Sequence, residues 1–145
     1  MIHLIPNKSA VQAFSVSPYA QRKYLPISPY IATGPTVNYL LQFEEIATGE
    51  KHVCRPLVTT DNERQTEMNI LTNADDAANA KVLIKNSGLY IYRVYANTEI
   101  GNVAINDPID LDIAGLLETG VARFTAEEVY TTADITIPNN VIYYE

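Results

Sequence analysis

The chain has 145 residues, a formal net charge of −7 and a single cysteine. This length suits one compact domain that buries roughly 68% of its unfolded surface, with no disulfide needed and none available to Cys54. The acidic balance excludes phosphate backbones and anionic lipid surfaces from the expected partners, because both reward clustered Lys and Arg.

In chain order, Met1 to Val11 carries Lys8 and Pro6 and lacks the apolar run of an export signal. No later window approaches the about 18 to 20 apolar residues of a spanning helix. A protein made in the cytoplasm, with no membrane-spanning segment, is expected. Five of the eight prolines (Pro6, Pro18, Pro26, Pro29, Pro35) fall in the first 38 residues, among the tyrosines of SPYAQRKYLPISPYIATGP. Proline removes a backbone donor and fixes φ, so residues 1–35 are read as an extended Pro/Tyr-rich arm. Within it, Val11 to Ser17 (VQAFSVS) alternates and is expected to lend one short strand to the domain.

Residues 36–125 carry the β pattern. VNYLLQFEEI and KHVCRPLV flank a compact turn containing Gly49, which reads as a hairpin. Val37, Tyr39, Leu41 and Phe43 share the core face, while Asn38, Gln42 and Glu44 mark a wet one with Leu40 as an exception. Pro56 points to an edge position or a bulge in the second strand. TDNERQ is a polar loop, and NADDAANA predicts a short helix over Ala74 to Ala80 capped by Asn73. KVLIKNSGLYIYRVYAN predicts two strands joined at Asn86, Ser87 and Gly88, with Tyr90, Tyr92 and Val94 on one face and Leu89, Ile91 and Arg93 on the other. Asn97 to Ala114 is a long acidic surface loop, and GLLETGVARF resumes a strand as far as Phe124. Residues 126–145 end in the apolar run Val141, Ile142, Tyr143, Tyr144, an interface segment or edge strand. Some seven short strands separated by turns indicate an all-β, antiparallel β-sandwich, with no internal repeat and no βαβ alternation.

Asn86, Ser87, Gly88, Leu89, Tyr90 is similar to the Asp-x-Gly-x-Tyr corner of immunoglobulin-like domains, where the tyrosine hydroxyl ties a loop to the strand it enters. Tyr92 stands where antibody domains place a cysteine, and the chain has no Trp, so the resemblance extends to an Ig-like sandwich alone. The combined pattern YLLQFEEIATGEKH, SGLYIYRVYANTE and GLLETGVARF, from Tyr39 to Phe124, resembles small structural proteins of bacteriophages of Bacteroidetes-type hosts. In these a Gly-x-Tyr-x-Tyr-x-Val-Tyr strand precedes a variable loop and a Leu-Leu-Glu-x-Gly strand. The resemblance implies assembly rather than chemistry and assigns no functional residue.

His52 and Cys54, two apart on a strand, share a direction, but a closed zinc site needs two more ligands and His3 is the only other imidazole. Cys54 reads as a small buried hydrophobe. Asp107, Asp110 and Asp112, with Asn106, offer oxygen ligands without the spacing or glycine of an EF-hand loop, and read as solvated acidic loop, as do Asp75 and Asp76. Neither histidine lies near a Gly-x-Ser-x-Gly elbow and no phosphate-binding Gly-Lys-Ser/Thr loop exists, so neither enzyme activity nor a cofactor is expected. Tyr39, Tyr90 and Tyr92 suit the core. Tyr19, Tyr24 and Tyr30 in the arm, with Tyr143 and Tyr144, are the interface candidates, since aromatic anchors dominate interface energetics.

The expectation is therefore a non-enzymatic virion structural protein of a bacteriophage. It would be capsid-associated as decoration, minor capsid or vertex protein, and bound to the major capsid protein or to copies of itself. A tail or connector component, or an Ig-like carbohydrate-binding module for host attachment, is the alternative. Both terminal segments would act as the adhesive by strand addition, and deletion of Met1 to Gly34 would leave a folded monomer unable to assemble.

Overall fold

The computed structural model describes residues 1–19, 21, 38–97 and 113–127. Their strands are β1 (Ile2–Leu4), β2 (Gln12–Val16), β3 (Asn38–Glu45), β4 (Lys51–Cys54), β5 (Leu57–Asp61), β6 (Thr66–Ile70), β7 (Gly88–Asn97) and β8 (Ile113–Phe124). They form two sheets, a five-stranded one in the order β1-β8-β7-β3-β4 and a three-stranded one in the order β2-β6-β5. All pairs are antiparallel except β1 with β8. The small sheet corresponds to strands B-E-D of an immunoglobulin-like sandwich, and β8-β7-β3-β4 to G-F-C-C′. The chain is thus an all-β sandwich of two packed sheets.

Four connections cross between the sheets, β1–β2, β2–β3, β4–β5 and β6–β7, and two of them are short turns at opposite sides. At one side Gln12 closes the turn after β1, its side-chain oxygen accepting from the Ile5 amide at 2.7 Å and its amide group donating to the Ile5 carbonyl at 2.8 Å. At the other, Pro56 cannot donate to a ladder, so β4 stops at Cys54 on the sheet edge and the chain crosses to begin β5 at Leu57. The edge position read from Pro56 holds.

Between the sheets, alternation does most of the work. Tyr39, Leu41 and Phe43 of β3 and Tyr90, Tyr92 and Val94 of β7 pack with Phe14, Met68, Ile70 and Phe124. Phe124 stands edge-on to Phe43 (5.3 Å) and to Tyr90 (4.7 Å). Burying one such large apolar side chain contributes about 1.5–3 kcal/mol, so this face holds the sheets together.

Four expectations are corrected. The outer face of β3 is not simply wet: Leu40 is fully buried with Tyr95 and partly buried Val53 in a second cluster. Gln42, also buried, accepts from Arg93, whose guanidinium pairs with Glu44 at 2.7 Å. Ala74 to Ala80 yields only a 3-10 turn, Ala77–Asn79, preceded by Asp76 with no side-chain cap. Asp and Asn here bond locally, Asn79 to the Asp76 carboxylate at 2.8 Å, and local bonds compete with a helix. Lys81 to Lys85 joins neither sheet; Val82 and Ile84 donate their amides to the Leu71 and Thr72 carbonyls and bury their side chains. Finally, residues 1–35 are not arm throughout. β1 and β2 lie inside them and place Leu4, Phe14 and Val16 in the core, because Pro6 and Pro18 fall outside both strands. The Pro/Tyr-rich stretch is therefore the connection 17–37, attached at both ends to strands.

The register also sorts the connections by end. Val16 pairs with Thr66, Asp61 with Thr66, Asn38 with Asn97, and Asn97 with Ile113. Connections 17–37 and 98–112 and the turn Asn62–Gln65 thus attach to one end of the sandwich. Residues 46–50, the Asn86 corner and Thr125–Glu127 lie at the other, where Lys8 meets Glu127 at 2.7 Å.

Candidate functional site

The end to which 17–37 and 98–112 attach is braced by two tyrosine–carboxylate ties, the first crossing between the sheets and the second lying within the five-stranded sheet and reaching across from it through the Ser17 amide. In the first, Tyr39 of β3 donates its hydroxyl to Asp61 of β5, 2.9 Å from Oδ1, and Thr66 of β6 donates to the same oxygen at 2.7 Å. In the second, Glu118 of β8 accepts the Tyr92 hydroxyl at 2.7 Å on Oε2 and the Ser17 amide at 2.8 Å on Oε1. Hydrogen bonds to an ionised carboxylate are about twice as strong as neutral ones.

Gly120 is what lets the second tie form. It is the cross-strand partner of Tyr92, and the tyrosine ring lies so close across it that a Cβ there would sit 2.4 Å from ring Cε1. Without a side chain at 120 the ring lies along β8 and its hydroxyl arrives at Glu118. Burial, and then the bond to Glu118, push the Tyr92 phenol above its ordinary value of 10. It is a neutral donor at physiological pH.

At the opposite end the tyrosine corner expected from Asn86 to Tyr90 is present. Tyr90 donates to the Asn86 carbonyl at 2.9 Å, with Glu45 Oε1 more distant at 3.4 Å. Glu45 also accepts from the Asn86 side chain at 3.0 Å and from Thr48 at 2.9 Å. These bonds, Asn86 first and Thr48 next, hold its carboxyl below the ordinary 4.5. Burial, then the Glu45 charge, push Tyr90 up to about 12. Glu45 continues the inward alternation of Tyr39, Leu41 and Phe43, a signal present in the sequence but masked by its charge.

The interface candidates are divided by this geometry. Tyr19 is half-buried just beyond β2; Tyr24, Tyr30, Tyr143 and Tyr144 lie outside the described residues. In the sequence Tyr19, Tyr24 and Tyr30 fall in the connection 17–37, whereas Tyr143 and Tyr144 come after Glu127. Cys54 is fully buried, its thiol pushed up to about 12 by burial and then by the Asp75 charge. His52 lies 3.7 Å from Glu50. Among the described residues no three potential metal ligands gather. Asp75 accepts the Leu83 amide at 3.3 Å and Asp76 accepts from Asn79, so both serve their own turn. Asn106, Asp107, Asp110 and Asp112 are outside the described residues.

The described residues line an apolar and a polar depression. An apolar groove of about 430 Å³ crosses the small sheet between Val11 and Leu57, each 61% exposed, with Pro56, Leu71 and Ala78 as its walls. A polar cleft of about 450 Å³ beside β4 is lined by Glu50, His52, Asp75, Lys85 and Asn86. The chain matches no protein family, no curated protein and no solved structure.

Proposed function

We propose that the protein is a non-enzymatic binding module whose partners are protein neighbours. We propose further that these neighbours are virion subunits of a bacteriophage, reached from a capsid-associated place as decoration, minor capsid or vertex protein. The observation that carries the binding reading is the attachment of 17–37 and 98–112 to one braced end of a rigid sandwich. Rigid frameworks that present long connections at one end are a recurrent way to position recognition segments. The composition suits the task. Segment 17–37 contains Arg22, Lys23 and three tyrosines without an acidic residue, and 98–112 contains Glu99, Asp107, Asp110 and Asp112 without a basic one. Tyrosine and arginine are enriched at protein interfaces. The third long connection, 71–87, instead binds down through Val82 and Ile84.

What supports the virion reading is the sequence resemblance, and the pattern that carries it is a physical unit. Tyr92 of the first motif strand rests on Gly120 and bonds Glu118 of the second. A particle that repeats such contacts many times gains avidity from individually weak bonds. Quantitative mass spectrometry of particles purified from the source tests this by counting copies of the chain against the major capsid protein. A fixed ratio is expected, near one for a shell or decoration subunit and low for a vertex. Absence from particles would overturn the virion reading and leave a soluble binding module.

A further inference from the structure

We infer that Glu118 is a positioning residue of the braced end, whose carboxylate, reached by Tyr92 across Gly120, sets where the 17–37 connection leaves the sandwich. This rests on the reading of that end as the binding end. Each oxygen of the carboxylate takes a donor from a different element: Oε2 from β7, Oε1 from the residue just past β2. Ser17 is distant from Glu118 in sequence, so the bond closes a long loop and fixes two separate parts of the chain against each other. Proline has no amide, and Pro18 follows, so Ser17 offers the last backbone donor before Tyr19. The tether therefore falls at the root of the connection.

Glu118 also belongs to β8, the strand that receives the 98–112 connection at Ile113. One carboxylate thus holds the root of 17–37 against the strand that carries 98–112. The register is irregular just before Glu118, at Val94 and Tyr95. Val94 pairs with Glu118 and Tyr95 with Leu116, which leaves Leu117 as the extra residue, buried in the core. A bulge of this kind re-aims a side chain. Glu118 and Gly120, two apart on β8 and opposite Val94 and Tyr92, share the inner face on which the Tyr92 ring lies.

The test measures residue-resolved amide hydrogen exchange on the full chain for the unaltered protein, Glu118→Ala and Glu118→Gln, beside binding of each to purified particles. Glu118→Ala is expected to speed exchange of the Ser17 amide about tenfold and to weaken particle binding by a similar factor, while the β3–β7 ladder keeps its protection. Glu118→Gln keeps an oxygen for Ser17 but loses the charge, and falls between. An unchanged Ser17 amide in Glu118→Ala would overturn the inference. So would ladder amides that accelerate in step with Ser17, since Glu118 would then only support the sheet, or a freed Ser17 amide with particle binding intact. Failure of the unaltered protein to bind particles would instead sink the virion reading, and the exchange data would still decide whether Glu118 holds the connection.

Discussion

Tyr92, Gly120 and Glu118 show how a side chain that is absent can matter as much as one that is present. Replacing Gly120 with Ala would put a methyl group into the Tyr92 ring, so the buried ring and its bond to Glu118 would have to shift. Overpacking of this kind costs about 1–3 kcal/mol, read as a lowered denaturation midpoint at unchanged slope. An unshifted midpoint would mean that the ring moves aside freely. Tyr90→Phe removes the corner bond to the Asn86 carbonyl while keeping the ring in the core. A loss of about 1 kcal/mol is expected, the usual net worth of one such bond, and a neutral result would show the corner to be ornamental to stability. The corner was legible because its donor and acceptor are four residues apart. Glu118 was not, because Ser17 and the bulge beside Leu117 appear only once distant strands are placed together.

At the scale of elements, β3, β4, β7 and β8 follow from alternation and turn residues, and the structure keeps the core faces read for β3 and β7. β2 emerges where VQAFSVS alternates. β1 left no such mark: three residues carry too little pattern, and its parallel partner β8 lies at the far end of the chain. Lys81 to Lys85 misled in the opposite sense, since its alternation reflects burial of Val82 and Ile84 in the core from within the β6–β7 connection rather than membership of either sheet. Placing β1 and β2 in the sheets changes the outcome of truncation. Deleting Met1 to Ser17 removes Leu4, Phe14 and Val16 from the core together with an edge strand of each sheet. Circular dichroism and exchange should show an unfolded or molten chain, not the folded monomer that an independent arm would leave. A cooperative unfolding transition in the truncated chain would return those residues to the status of an arm.

For the whole molecule, acid should act through carboxylates held below their ordinary range. Glu45 is one, its charged form favoured by Asn86 and Thr48. A group with a depressed folded value contributes stability that is fully present above its unfolded value and is lost as pH falls toward the folded one. Glu45→Gln should therefore be less stable than the unaltered protein at neutral pH, and the gap should close from about pH 5 downward. A gap that stays constant across that range would mean that Glu45 matters by shape rather than charge.

The account's central claim is that neighbours bind at the end carrying 17–37 and 98–112. Lysine-directed cross-linking of intact particles, read by mass spectrometry, tests it most directly, because Lys23 is the one lysine in those segments and Lys8, Lys51, Lys81 and Lys85 lie elsewhere in the chain. Cross-links to other virion proteins concentrated on Lys23 are the predicted result. Cross-links confined to Lys8, Lys51, Lys81 and Lys85, with Lys23 silent, would contradict it and move the interface to the opposite end of the sandwich.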